Sequence, residues 1–140
     1  MIRIGTVGTN WITQQLVEAL ALSKRYELAA VYSRHEDTAT AFAAKNHAQA
    51  SYTDYRDMLQ QADLDVVYLA SPNSVHFEQA MQAIAHDISV IVEKPAFSNR
   101  QEMIAVQAAL AQHPQVKFFE AARHVHTPNF HAIEKALAGL

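Results

Sequence analysis

No cysteine occurs among these 140 residues. That absence removes disulfides, thiolate catalysis and cysteine-based metal sites together. It suits a reducing cytoplasm, which is the expected location. Glycine is scarce too: the chain has 3, and Gly5 and Gly8 fall at the first predicted strand and its turn. No Lys/Arg run stands out, and the net charge of −3 offers no general attraction to nucleic acid or anionic membranes. No apolar run approaches the roughly 18 residues that span a bilayer. Met1 leads directly into a strand pattern, without the basic and apolar segments of a signal peptide. Neither a nucleic-acid nor a membrane partner is therefore expected. What remains is ordinary for a globular protein, 50% apolar and 18% charged. One domain over residues 1–140 is expected, and a domain of this size buries roughly 70% of its unfolded surface.

The hydrophobic patterning alternates between strand and helix. Ile2 to Val7 reads as a strand, Gly8-Thr9-Asn10 as a tight turn, and Trp11 to Ser23 as a helix with apolar residues at 12, 16, 17, 19, 20 and 22. Tyr26 to Tyr32 is a second strand and Glu36 to Lys45 an Ala-rich helix. A short strand at Ala50 to Tyr52 precedes a short helix capped by Asp54. Asp65 to Ala70 is the fourth strand, and Ser71-Pro72-Asn73 starts and caps a helix running to about His86. A helix from about Asn99 to Gln112, a strand from Val116 to Glu120, and a helix introduced by Pro128 and ended by Gly139 complete the series. Such alternation predicts an α/β fold, a mainly parallel six-stranded sheet wound with helices on both faces.

The stretch richest in consequence is Ile88-Ser89-Val90-Ile91-Val92-Glu93-Lys94-Pro95. Its continuous β-branched run reads as a strand covered on both faces. Proline cannot donate to the ladder and biases Lys94 toward extended geometry, so the strand should end here. Ligands of open parallel sheets sit just beyond the carboxyl ends of strands, which makes Lys94 a candidate for chemistry. Strand-end position alone leaves a solvated Glu93–Lys94 pair as the better reading.

The first turn bears on phosphate binding. A G-x-G-x-x-G fingerprint placed here gives Gly8-Thr9-Asn10-Trp11-Ile12-Thr13, in which only the first glycine is present. Asn10 is expected to replace a turn glycine through left-handed geometry, with a side chain that crowds a pyrophosphate. Thr13 in place of the third glycine predicts slightly looser helix–strand packing. Free N–H groups at the helix start would still attract phosphate. On these residues a structural turn and a cofactor site are equally good readings. At the end of the second strand, Ser33 cannot serve as the carboxylate that bonds a ribose 2′-hydroxyl, whereas Arg34 can pair with a 2′-phosphate. NADP is thus favoured over NAD, with Glu36 and Asp37 keeping the alternative open.

Taken in order, Gly8, Ser33-Arg34, the segment Asp65-Val66-Val67-Tyr68-Leu69-Ala70-Ser71-Pro72-Asn73-Ser74-Val75-His76 and the triplet Glu93-Lys94-Pro95 resemble one known family. The chain is similar throughout to the N-terminal domain of the glucose–fructose oxidoreductase and inositol dehydrogenase (Gfo/Idh/MocA) family. Within it, Ser33-Arg34 and the segment from Glu120-Ala121 look closest to the NADP-using, dihydrodiol-dehydrogenase-like branch. The resemblance implies a Rossmann-type fold and hydride transfer between NADP or NAD and a sugar, polyol or related alcohol. It implies that Lys94 is the active-site lysine and that Glu93 helps position cofactor. It also implies that Pro95 follows an often-cis bond aiming Lys94 inward. Ser71, Pro72, Asn73 and His76 would flank the nicotinamide half, and Gly8, Thr9, Asn10, Trp11 and Ile12 the phosphates. Asn10 and Thr13 depart from the family's small residues, and Val125 stands where an arginine is common. The resemblance further implies a second domain, absent from these residues, that holds most of the substrate pocket and forms a homo-oligomer.

His124 and His126, with His131 and Glu120 nearby, would make a metal site only if 124 and 126 shared a strand face. Structural or substrate-contact roles are the preferred reading, and no metal is expected. Other histidines, such as His47, His86 and His113, fall at helix ends or turns and read as surface residues. Two further function classes stand beside the enzyme: a dinucleotide-binding sensor or regulatory module, which would have no need of a base at Lys94, and a domain that has lost its cofactor.

Overall fold

The computed structural model describes residues 1–139. Its elements are β1 (Ile2–Val7), α1 (Trp11–Ser23), β2 (Tyr26–Tyr32), α2 (Glu36–Lys45), β3 (Ala50–Tyr52), α3 (Tyr55–Gln61), β4 (Val66–Leu69), α4 (His76–Ala85), β5 (Ser89–Val92), α5 (Arg100–Gln112), β6 (Phe118–Glu120) and α6 (Pro128–Leu137). The strands form one six-stranded sheet in the order β3-β2-β1-β4-β5-β6, and every neighbouring pair is parallel. This is the expected doubly wound architecture. The chain leaves β1 toward β2 on one side and returns to β4 on the other, so β1 and β4 flank the point where strand order reverses.

Alternation along the strands sorts side chains into two layers. Val7, Val67, Leu69, Val90 and Val92 face a core closed by Met58 and Leu59 of α3, Ala80, Ala83 and Ile84 of α4, and Val106 of α5. Ile4, Val66, Tyr68 and Ala70 face the other way, onto Ile12, Leu16 and Leu20 of α1, while Val31 meets Val17 of α1 and Phe42 and Ala43 of α2. The buried stripe of α1 is narrower than the apolar count implies. At 100° per residue, positions 12, 13, 16, 17 and 20 share one face and 19 and 22 fall outside it. Leu22 is accordingly 85% exposed.

Helix starts follow capping chemistry in most places. The Asp54 side chain accepts from the N–H groups of Arg56 and Asp57, Asn99 from that of Glu102, and Thr127 from that of Phe130 with Pro128 behind it. The start near Asn73 differs from expectation. Asn73–Val75 form a short 3-10 turn, α4 begins at His76, and no side chain caps either. Pro72 fixes the turn instead, its carbonyl accepting from Val75 N–H at 3.0 Å. At the other end of the chain Ala138 closes α6, and Gly139 does not take the left-handed conformation expected of a glycine cap. Among the described residues no helix is long and apolar enough to cross a membrane.

Met58 is 0% exposed at the centre of the larger core. Met58→Ala should cost about 2–5 kcal/mol, measured by urea unfolding with an unchanged slope, because the cavity left behind collapses only partly.

Candidate functional site

Gly8 turns the chain out of β1 with φ of +100°, a region that side-chain-bearing residues rarely adopt. A Cβ there would stand 2.9 Å from the Ala70 carbonyl oxygen, so the turn needs glycine for space as well as for backbone angle. Its N–H donates to Tyr32 O at 3.0 Å, and the Ala70 N–H donates to Val7 O at 2.9 Å, which knits the ends of β1, β2 and β4 together.

Asn10 completes the turn in a way the sequence reading did not foresee. Its backbone is extended (φ −79°, ψ 178°) rather than left-handed, and it serves as the N-cap of α1. Oδ1 accepts from the N–H groups of Ile12 and Thr13, both at 3.1 Å, while Nδ2 donates to Ala70 O at 2.8 Å. The side chain is thus held against the neighbouring strand, not across the mouth of the turn. The N–H groups of Ile12 and Thr13 are taken, contrary to the expected open helix start. Those of Thr9, Asn10 and Trp11 meet no acceptor among the described residues. Thr13 fits without looseness: it is 0% exposed and its hydroxyl donates to Asn10 Oδ1.

Two clefts open from this seam. The larger, about 480 Å³, runs from Gly8, Thr9 and Asn10 along Ser33 and Arg34 to Ser71, Pro72, Ser74 and Gln79. The smaller, about 300 Å³, runs from Asn10, Trp11 and Ile12 to Glu93, Lys94 and Arg123. They share Asn10, Ala70 and Ser71. The larger fits an elongated phosphate-bearing ligand, with backbone space at Gly8, three N–H groups without acceptors, and the dipole of the thirteen-residue α1. Arg34 adds an exposed cation at its far end.

The second cleft carries the titratable groups. Glu93 N–H donates to Leu69 O at 2.8 Å, which carries the β4–β5 ladder one residue past β5. Its carboxylate accepts from the Tyr68 hydroxyl at 2.6 Å. Burial first, then the hydrogen bond to Glu93 and its charge, push the Tyr68 phenol above its ordinary range, and Arg123 opposes them. Tyr68 therefore stays a donor at neutral pH. Lys94 is exposed in the cleft with no ion-pair or hydrogen-bond partner among the described residues, and its bond to Pro95 is cis.

Of the residues singled out from the sequence, Gly8, Thr9, Asn10, Ser33, Arg34, Ser71 and Pro72 line the larger cleft, and Trp11, Ile12, Glu93 and Lys94 the smaller. Asn73, His76 and Pro95 line neither. His76 is a correction: it is 0% exposed, with both ring nitrogens against backbone carbonyls, and has no surface to offer a cofactor. Ser74, Gln79 and Tyr68 were missed. The alternation that buries Val67 and Leu69 on one face puts Tyr68 on the other, and could have pointed its hydroxyl to the strand end. The histidines after β6 lie on a 3-10 turn, Arg123–His126, not on a strand. His124 packs edge-on against Phe130 and His131 pairs with Glu134, and the described residues hold no group of three potential ligands for a metal.

A doubly wound parallel sheet with a donor-lined cleft at the switch point defines a dinucleotide-binding α/β domain of the Rossmann type. The chain belongs to the Gfo/Idh/MocA oxidoreductase family, described as an oxidoreductase family with an NAD-binding Rossmann fold, which it matches over residues 2–121. It is 44% identical over 137 residues to the uncharacterized oxidoreductase YgjR of Escherichia coli, covering 98% of this chain and 42% of that protein. It is 39% identical over 137 residues to the scyllo-inositol 2-dehydrogenase (NADP(+)) IolU of Bacillus subtilis, with the same 98% and 42% coverage. The fold superposes on scyllo-inositol dehydrogenase from Lactobacillus casei with bound NAD(H) and scyllo-inositol at a TM-score of 0.91, with 23% identity, over 99% of this chain and 41% of that one. The chain thus spans about 42% of the length of the two relatives compared by sequence.

Gly8→Ala should lower stability by more than about 1 kcal/mol, since it combines a strained φ with a contact to backbone that cannot move aside. Thermal melts check this, and a fully stable Gly8→Ala protein would contradict the geometry described for the turn.

Proposed function

We propose that residues 1–140 are the cofactor-binding domain of a longer NAD(P)-dependent oxidoreductase that moves a hydride between nicotinamide and an alcohol or carbonyl carbon of a sugar, polyol or related compound. The observation that carries this reading is the seam at Asn10, Ala70 and Ser71, where a phosphate-binding cleft and a lysine-bearing cleft meet. The nicotinamide supplies the acceptor or donor of hydride. The chain's own residues do the rest. N–H groups of Thr9, Asn10 and Trp11 hold phosphate at the start of α1. Ser71 and Pro72 wall the ring half, and Glu93, held by Tyr68, helps position it. Lys94 takes or returns the proton at the substrate oxygen.

Ser33 and Arg34 support NADP over NAD, since a guanidinium pairs with a 2′-phosphate and no carboxylate stands between the end of β2 and Arg34. The name of the relative IolU, an NADP(+) enzyme, supports the same choice. The share of the relatives' length that this chain spans supports a second domain supplying the opposite wall of the substrate pocket, and a homo-oligomer formed through it. A small-molecule substrate and a cytoplasmic setting complete the proposal. A sensing role would leave Lys94 without use in the second cleft.

The chain has 1 tryptophan, Trp11, and it is 68% exposed in the smaller cleft beside Asn10, which gives a built-in fluorescence probe. Titration should show tighter binding of NADPH than of NADH. Arg34→Ala should weaken NADPH alone, by about 1.5–3 kcal/mol, the cost of a charged hydrogen bond. An unchanged ratio of the two affinities would place the Arg34 side chain in solvent.

Turnover is the second test. The 140-residue chain should bind cofactor yet reduce or oxidise no sugar, polyol or cyclitol at a useful rate, whereas the full-length enzyme should turn over. Lys94→Ala in that longer form should lower kcat at least about a hundredfold, the low end for losing an acid–base group. Undiminished turnover would remove Lys94 from the chemistry.

A further inference from the structure

His76 opens α4 from the interior of the protein, and its ring reaches two loops at once. Nδ1 lies 3.0 Å from Pro95 O, and Nε2 lies 2.9 Å from Ser71 O. Carbonyl oxygens only accept, so a ring N–H donates to one of them and the second nitrogen packs against the other. Ser71 belongs to the wall that both clefts share, and Pro95 is the residue after Lys94. The ring therefore bridges the cofactor wall and the turn that carries the lysine. Two further hydrogen bonds hold the rest of that turn: Glu93 N–H donates to the Leu69 carbonyl at 2.8 Å, and Ala96 N–H to the Glu120 side-chain carboxylate (Oε1) at 2.9 Å. The Lys94 amine has no partner of its own among the described residues, so its place is inherited from these ties.

We infer that His76 is a positioning residue that sets where Lys94 stands relative to the wall at Ser71, without touching substrate or cofactor. The inference rests on the reading of Lys94 as the acid–base group. A purely space-filling role is better served by an apolar residue at the same depth, since burying two ring nitrogens is worthwhile only where both find partners. Here both partners lie on the loops that must stay in register for proton transfer. A displacement of about 1 Å at such a group costs on the order of a hundredfold in rate.

Amide replacements separate the two halves of the bridge. The side-chain amide of His76→Asn falls near the position of Nδ1 and keeps a donor toward Pro95. That of His76→Gln reaches the position of Nε2 and keeps one toward Ser71. His76→Leu removes both. The three variants are compared in the full-length enzyme for kcat and for NADPH affinity, and in the 140-residue chain for amide chemical shifts by 15N NMR. The expected result is a kcat loss of about ten- to a hundredfold in His76→Leu and a smaller loss in His76→Asn than in His76→Gln, with NADPH affinity held within about threefold. Shifts should move at Ser71, Lys94 and Ala96, and stay put at Gly8 and Asn10. Equal kcat per folded molecule in all variants, or kcat falling only in step with cofactor affinity, overturns the inference. If His76→Leu does not fold, the order of His76→Asn and His76→Gln decides, and equality overturns it. If the unmodified enzyme shows no turnover with any substrate, the dehydrogenase reading fails by itself. The shifts then decide the bridge: movement confined to the two loops supports it, and none overturns it.

Discussion

One side chain joins the two strands on which the site depends. Asn10 and Ala70 are 60 residues apart in sequence, yet Nδ2 of one donates to the carbonyl of the other while Oδ1 caps α1. A single amide therefore fixes the start of a helix, the shape of the turn after β1 and the distance to the end of β4. A backbone carbonyl at a strand end and helix N–H groups are all costly to leave unpaired in a partly buried place, and Asn supplies the donor and the acceptor that satisfy them. Because the strand order reverses between β1 and β4, helices cannot cover the crevice from above, and the same seam is left open as a cleft. The stability of the turn and the openness of the site have one cause.

The chemistry of the second cleft depends on a different pairing. Glu93 ends β5 beside an exposed lysine, where the two charges could have collapsed onto each other. The Tyr68 hydroxyl instead donates to the carboxylate at 2.6 Å from the neighbouring strand. A phenol kept protonated by burial is a donor that neither titrates away at neutral pH nor adds charge. The acid is thereby fixed, and the amine one residue later stays unpaired and exposed to the cleft. Arg123, on the turn after β6, adds a cation to the same cleft and donates to Gln15 of α1. Two strands and two turns thus set the local field.

Much of this was legible in the residues themselves. Continuous β-branched runs such as Val90-Ile91-Val92 and Asp65-Val66-Val67 gave the parallel strands to within two residues of their ends. The order Gly8, Ser33-Arg34, Ser71-Pro72 and Glu93-Lys94-Pro95 picked out much of what lines the two clefts. What escaped depended on direction rather than identity. Asn10 was read for backbone tolerance, because left-handed geometry is what asparagine shares with glycine, whereas its hydrogen-bonding ends decide its role here. His76 was placed among cofactor contacts because it closes the segment Asp65 to His76 that resembles the family's. The 3-10 turn over Asn73–Val75 delays the start of α4 and turns position 76 into the core. Leu22 counted toward an apolar stripe that helical geometry sends past the sheet.

The same distinction explains how the domain divides its work. The larger cleft offers main-chain donors, a glycine, serine and glutamine side chains and one surface arginine, groups of the kind that suit phosphate and ribose and are insensitive to what is attached beyond them. The smaller cleft holds an amine, a carboxylate, a guanidinium and an indole, and it is open to solvent. An amine in so open a cleft sits in high dielectric, where charge placement is worth little and bulk water competes for every hydrogen bond. A second surface laid over Lys94 and Trp11 would lower that dielectric. Within the domain, Asn10 ties the start of α1 to Ala70, Tyr68 ties β4 to Glu93, and His76 lies between Ser71 and Pro95. On the proposed function, substrate selection falls to whatever closes the open side, so domains of this kind can keep one cofactor geometry while serving different alcohols.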